Sequence, residues 1–285
     1  MKNIAIFGAS SNIASKFIPL ALAKGITVIA FTRDADKIIK TQKVKIVQGD
    51  ITKFSAVRNT LRNAKIDATI NFAASFSSDK IQAKKVNVKG EQNVLKASKE
   101  FGIKRHIYIS TIATQTPMSN TYRDTKLEAE NAVRNSDLDW VILRYANVLG
   151  TPSWDQPFKI IIPFVRIGLP KVPTSHRSAV FPYVTIETTI KATFAALTAH
   201  PSQIITILDG KTTIGKYLDK LEKIHHVKKS FMPLPSLRFI NKFLGRFIPQ
   251  ISATTAGLEF MANPPDLENY TMKRELHIKT RQNLH

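Results

Sequence analysis

A chain of 285 residues without cysteine excludes disulfide scaffolds and thiolate metal sites, and at this length it can bury one large core or two. Its 42 Lys and Arg against 21 Asp and Glu give a formal charge of +21, yet 43% hydrophobic and 22% charged residues are ordinary for a globular protein. The longest apolar candidate, Ile160 to Val165, is broken by Pro163, so nothing approaches the roughly 20 residues of a membrane-spanning helix.

The chain enters its first expected strand almost at once, at Ile4 to Phe7, which leaves no room for a signal peptide and makes a cytoplasmic location the expectation. This short apolar run lacks the alternation of a half-exposed strand and reads as a buried parallel one. It breaks at Gly8 and restarts as a helical pattern through Phe17, Ile18, Leu20, Ala21 and Leu22. Strand, glycine turn and helix aim a helix N-terminus at a phosphate. Of the three glycines in the dinucleotide fingerprint only Gly8 is present, with Ser11 and Ala14 at the later offsets. Alone, the stretch fits an ordinary βα turn equally well.

Further strands are expected at Thr27–Phe31, Val44–Val47, Ala68–Phe72, His106–Ile109 and Trp140–Leu143, with helices at Phe54–Leu61, Ile81–Phe101 and Tyr122–Val133. Strands alternating with helices at this spacing give an α/β, doubly wound parallel sheet of the Rossmann type, with ligands beyond the C-terminal strand ends. Residues 1–150 are therefore expected to form a dinucleotide-binding domain, with 180–208 returning to the sheet. Prolines at 152, 157, 163, 170, 173 and 182 then break up the pattern, so 151–179 and 209–285 read as a smaller substrate or lid region. A helix is expected from about Ile214 to Ile224. Over Leu237–Ile251, Leu237, Phe239, Ile240, Phe243, Leu244, Phe247, Ile248 and Ile251 fill one helical half and Arg238, Lys242 and Arg246 the other. Such a helix lies in an anionic membrane interface or packs as a surface helix, and the packed reading is favoured. The lysines are scattered (Lys37, Lys40, Lys43, Lys45, Lys80, Lys84, Lys85, Lys89), so a solvated surface is favoured over nucleic acid. His225 and His226 lack companions for a metal site, and Trp154 and Phe158 either line a pocket or pack as core.

Tyr122 and Lys126 lie one helical turn apart on one face. An ammonium held near a phenol favours the phenolate and lowers its pKa, which suits proton exchange with a carbonyl or alcohol. Tyr-x-x-x-Lys is common by chance; its place after the fifth strand of a nucleotide-binding series gives it weight.

With Gly8, these residues form an ordered set. Gly49-Asp50 follows the third strand, Asn71-Phe72-Ala73-Ala74 the fourth, and Val86-Asn87-Val88-Lys89-Gly90 lies in the long helix. Ser110-Thr111 follows the fifth strand, then Tyr122 with Lys126, Leu143-Arg144-Tyr145-Ala146-Asn147-Val148-Leu149-Gly150, and Phe181-Pro182-Tyr183-Val184. Over about residues 3 to 200 the chain resembles the short-chain dehydrogenase/reductase superfamily, in the extended or atypical branch of epimerase- and dehydratase-like members. It is most similar to the group that includes the nucleotide-binding accessory subunit of respiratory complex I. The resemblance implies a pyrophosphate held around Gly8, Ser10, Ser11, Asn12 and Ile13, an adenine bracketed by Asp50 and Ile51, and a passage to the ribose past Ala73 and Ala74. It also implies Ser110 near the cofactor, Lys126 on the nicotinamide ribose, Tyr122 as the acid/base, and a small-molecule substrate; dimers through the two long helices are common in the family.

NAD binders usually carry a carboxylate at the end of the second strand. Here Thr32 and Arg33 stand there with Lys37 nearby, which suits the 2′-phosphate of NADP rather than NAD, while Asp34 reads as a helix cap. The Ser or Thr that usually orients the substrate carbonyl aligns with Ile112, so Thr111 or Thr114 has to substitute. The loop Gln115–Asn120 contains no acid, which disfavours sugar-nucleotide dehydration. Two functions follow: an NADP-dependent oxidoreductase or epimerase-like enzyme, held ahead on the retained Tyr-Lys pair, and a non-catalytic dinucleotide-binding subunit, redox sensor or assembly factor.

Overall fold

The computed structural model describes residues 1–117, 119–149, 172–217, 219, 231–233, 235–236, 239, 267 and 270–278. The expectations placed on Trp154, Phe158, His225 and His226 lie outside them. Of 237–251 only Phe239 is described, 74% exposed, so the amphipathic helix also lies outside. Of the helix expected from Ile214, residues 214–217 and 219 are described and helical.

Seven parallel strands form one sheet in the order β10-β6-β5-β4-β1-β2-β3. They are β1 (Asn3–Phe7), β2 (Thr27–Thr32), β3 (Val44–Gln48), β4 (Ala68–Asn71), β5 (Arg105–Thr111), β6 (Asp139–Tyr145) and β10 (Gln203–Ile207). The central strands read as near-continuous apolar runs because both sheet faces are covered. On one face, α1 (Asn12–Ala23) and a helix at Ile186–Ala196, here α6, bury Phe17, Ile18 and Ile190 with Ile4, Ile6 and Val28. On the other, α2 (Phe54–Leu61) and α4 (Gly90–Glu100) bury Val57, Leu61 and Val94 against Phe7 and Phe31, while α5 (Thr121–Arg134) packs Ala129 and Val133 on Tyr108 and Ile142. Strand order reverses between β1 and β4, and the crevice outside their carboxyl ends is where such sheets take ligands.

The expected single helix over Ile81–Phe101 is instead α3 (Lys80–Lys84), a π turn over Lys85–Lys89, and α4. The π turn brings Val86, Asn87 and Val88 inward together, a buried run that a 3.6-residue period would not give. Beyond β6 the returning segment divides. β10 joins the main sheet, whereas β9 (Val180–Thr185) pairs with β7 (Asn147–Leu149) and β11 (Gly210–Thr213) in a separate sheet. A two-stranded ladder joins β8 (Val172–Pro173) to β12 (Phe231–Met232). Part of the expected lid is core: α7 (Tyr270–Leu276) buries Met272 and Leu276 in the first cluster, and Gln203 Nε2 on β10 donates to Glu275.

Candidate active site

Gly8 has φ +73°, and a Cβ built there would stand 2.5 Å from the Ala73 backbone nitrogen. The turn after β1 and the loop after β4 thus approach as closely as backbones can, and only glycine fits between them. Ser11, in place of the second fingerprint glycine, caps α1 by accepting from the Ala14 amide at 3.3 Å. Ala14, in place of the third, is fully buried where the helix lies on the sheet. Among the described residues the Asn12 and Ile13 amides have no acceptor, so two N–H groups at the positive end of a 12-residue helix remain for an anion. These residues fit a pyrophosphate.

Around this cradle, Ala73 donates its amide to Asn71 Oδ1 at 2.8 Å, and Ala73 and Ala74 are half-buried beside Gly8. Asp50 is half-buried and accepts from the Thr52 amide. The Ile51 side chain turns into the second core cluster against Gly90, leaving its backbone, rather than its side chain, beside an adenine. At the end of β2, Thr32 Oγ1 donates to Ser10 Oγ at 2.8 Å, and the exposed Arg33 guanidinium has no ion-pair partner among the described residues. Asp34 is not the side-chain cap expected of it. It sits at the N-cap position of a short 3-10 turn, makes no capping bond, and pairs with Lys37 at 2.5 Å. Lys37 is therefore shared with a carboxylate, and Arg33 is the free cation of the group.

Tyr122 and Lys126 both lie on α5, but among the described residues no hydrogen bond joins the ammonium to the phenol. Lys126, 1% exposed, donates from Nζ to the Ile109 carbonyl at 2.6 Å and stands 4.0 Å from the Tyr108 ring centroid. Burial pulls its pKa down to about 8, with Glu91 and then Glu130 opposing. Burial pushes the Tyr122 phenol up, the reverse of the depression expected from an adjacent ammonium. Its hydroxyl has no hydrogen bond among the described residues, and its ring stacks on Phe76 at 4.5 Å between centroids. Phe76, 78% exposed, has no signal in the sequence beyond being an aromatic in a serine-rich loop. That loop is fixed by Asn87 of the π turn, whose side chain bonds both backbone groups of Ser75 and donates to Thr125 on α5.

The hydroxyls at the end of β5 and just beyond it separate into two kinds. Ser110 donates inward to Glu130 at 2.5 Å, and Thr114 bonds both the Thr111 carbonyl and Glu130. Thr111 caps the following 3-10 turn by accepting from the Ala113 amide, is half-buried, and keeps its own proton to donate. Ile112 is 7% exposed in the first core cluster, so this position packs the interior.

The pH dependence of Lys126 has a sign. Between pH 8 and about 10.4 the unfolded chain holds a proton at this lysine that the folded chain has released, so stability rises with pH. Urea unfolding at pH 7.5 and 9.5 is expected to show the parent gaining about 2 kcal/mol that Lys126→Met does not gain. Parallel pH dependence of the two proteins would refute the buried ammonium.

The sequence profile of the NAD(P)H-binding family matches residues 8–156, which contain the Gly8 cradle, Thr111, Tyr122 and Lys126. Among curated proteins, the chain is 29% identical over 172 residues to a UDP-glucose 4-epimerase of Lacticaseibacillus casei, covering 52% of each. It is 24% identical over 148 residues to the photosystem II assembly factor Ycf39 of Synechocystis, covering 51% of this chain and 45% of that protein. The chain thus spans about half the length of these relatives. Among solved structures, the Bordetella bronchiseptica enzyme WbmG in complex with NAD and UDP superposes with a TM-score of 0.76 at 16% identity, covering 99% of this chain and 90% of that one. WbmH of the same organism, in complex with NAD+, gives 0.70 at 21% identity over 82% and 86%. No described helix is long and apolar enough to cross a membrane, and no described cluster of His, Asp and Glu could hold a metal. The chain belongs to the NAD(P)H-binding family, built on a Rossmann-type α/β scaffold.

Proposed function

We propose that the protein is an NADP-dependent oxidoreductase or epimerase-like enzyme acting on a carbonyl or alcohol. The observation that carries this reading is Tyr122, with an uncommitted hydroxyl, on the same helix as a buried lysine and one loop from the Gly8 cradle. Gly8, Ser10, Ser11, Asn12 and Ile13 hold the pyrophosphate, Asp50 and Ile51 flank the adenine, and Ala73, Ala74 and Ser110 border the ribose and nicotinamide side. The nicotinamide, when bound, supplies or accepts the hydride. Tyr122, kept protonated by burial, donates its proton to the developing alkoxide, or accepts one from an alcohol in the reverse direction. Thr111 donates the second hydrogen bond to that oxygen. Lys126 moves from Ile109 to the ribose and, closer to Tyr122, favours the phenolate left after proton donation. UDP-sugars, present in the complexes of some structural neighbours, are the first substrates to test.

For the cofactor, Arg33 is the deciding residue. NADPH is expected to bind at least tenfold more tightly than NADH in a fluorescence titration, and Arg33→Ala to erase about that factor, the contribution of one charge-assisted contact. Tighter binding of NADH, or an unchanged preference in the variant, would overturn the choice.

A second reading rests on Ile112 and on the inward-turned Ser110 and Thr114: a dinucleotide-binding protein that performs no turnover, such as a redox sensor or assembly factor. It predicts NADPH binding with no reduction across a panel of UDP-hexoses, aldehydes and ketones. A peripheral contact with anionic membrane through 237–251 belongs with this reading and is tested by liposome flotation; a homodimer through the two long helices is compatible with either reading and is tested by sedimentation.

A further inference from the structure

β5 carries three residues that alternate onto the face beneath α4 and α5, and each meets a different titratable group. His106 Nε2 lies 2.6 Å from Glu91 Oε1 of α4, the Tyr108 ring lies under Lys126 Nζ of α5, and Ser110 donates to Glu130 of α5. Glu91 and Glu130 are fully buried, and Lys126 nearly so. Both carboxylates are close enough to act on the ammonium, each favouring its charged form. Beyond Glu130 the row continues with opposite sign: Arg144 of β6 holds Glu130 through Nε at 3.0 Å and Nη2 at 2.5 Å. On the other side Asn71 Nδ2 and His106 hydrogen-bond Glu91.

From this arrangement we propose that Glu91 and Glu130 are positioning residues for the Tyr122–Lys126 pair: a buried ladder of alternating charge that holds the proton on Lys126 and locks α5 to the strand ends. Their importance to turnover rests on the acid/base reading above; their hold on Lys126 does not. The locking is visible in the bonds. Glu130 joins the helix bearing Tyr122 to Ser110 and Thr114 on both sides of Thr111. Glu91 fixes Asn71, whose other amide atom fixes Ala73 against Gly8. One carboxylate thus braces the proposed acid/base side of the cleft and the other the dinucleotide side. The groups facing Lys126 are Tyr108 from β5, which also senses Tyr122, Glu91 from α4 with His106 behind it, Glu130 from its own helix, and Arg144 of β6 behind Glu130. Burial lowers the pKa of Lys126, and Glu91 and then Glu130 oppose that loss.

The test reads Lys126 directly in the full-length, ligand-free protein. The Cε resonance of 13C-labelled lysine, identified by its absence in Lys126→Met, is titrated against pH in the parent, Glu130→Gln and Glu91→Gln. Each Gln variant is expected to lower the midpoint by about one pH unit, the size of a single near-charge effect, while Glu130→Asp and Glu91→Asp restore most of it. A Gln variant that unfolds earlier yet titrates with the parent's midpoint has lost only a structural brace, and that result overturns the charge-holding role. If neither Gln variant folds, the Asp variants and the parent decide: a parent midpoint below 7, or Asp variants further below the parent than one unit, overturns the proposal. NADPH titrations over the same pH range form a separate arm. Absence of NADPH binding with the midpoint still moved by each Gln variant would remove the cofactor reading and leave the ladder standing.

Discussion

Tyr122→Phe is expected to lower turnover by a factor of about 10² to 10⁴, the range of a positioned general acid/base, and to leave NADPH affinity and thermal stability at parental values. The structure makes this substitution unusually clean. The hydroxyl has no hydrogen bond among the described residues, so its removal breaks nothing in the fold, and the phenyl ring keeps its stack on Phe76. A loss of activity accompanied by a fall in melting temperature would point to repacking instead. Undiminished turnover with any carbonyl substrate would remove Tyr122 from the chemistry. NADPH binding without turnover in the parent would favour the second reading, in which the buried Ile112 marks a site that holds a dinucleotide without reacting it. Thr111→Val separates these further: as the hydroxyl with a proton to donate, it should reduce kcat in an enzyme and have no counterpart effect in a binder.

The alternation of strand and helix was readable because each central strand is a short apolar run closed by a turn residue, and because the parallel sheet is covered on both sides. The Gly8 turn was readable for the same reason, and the structure adds what the sequence could not: how near Ala73 stands. Buried charge was the main thing hidden. Glu91, Lys126 and Glu130 lie in helices whose many polar residues suggest solvated faces, and only contact with His106, Tyr108 and Ser110 distinguishes them. One signal was present: Tyr122, Lys126 and Glu130 fall at i, i+4 and i+8, a continuous stripe along α5. Ile112 was legible as a departure, since it aligns with the usual reacting hydroxyl, but its place in the core was not: it opens a 3-10 turn and is buried there. The β9 strand carries the right texture for the main sheet and joins β7 and β11 instead, a choice made by long-range pairing that no local pattern encodes.

Gly8→Ala is the substitution expected to damage the protein most. The φ of +73° costs an alanine about 1 kcal/mol by itself, and the added methyl would stand 2.5 Å from the Ala73 nitrogen and 2.7 Å from its Cα. Backbone, unlike a side-chain tip, cannot swing aside, and Ala73 is held in place by Asn71, which Glu91 holds in turn. The strain must therefore open the gap between the β1 and β4 loops, for a total loss of about 2–4 kcal/mol in urea unfolding. NADPH affinity is expected to fall at least 100-fold in whatever fraction stays folded, because the same movement tilts the Asn12 and Ile13 amides away from the pyrophosphate. Gly25→Ala is the matched control. It has a similar φ of +78° but nothing within 4 Å of the added methyl, so it should lose only the conformational part, about 1 kcal/mol, and bind NADPH as the parent does. Equal losses in the two variants would mean that backbone conformation, not the approach of the two loops, makes glycine necessary at position 8.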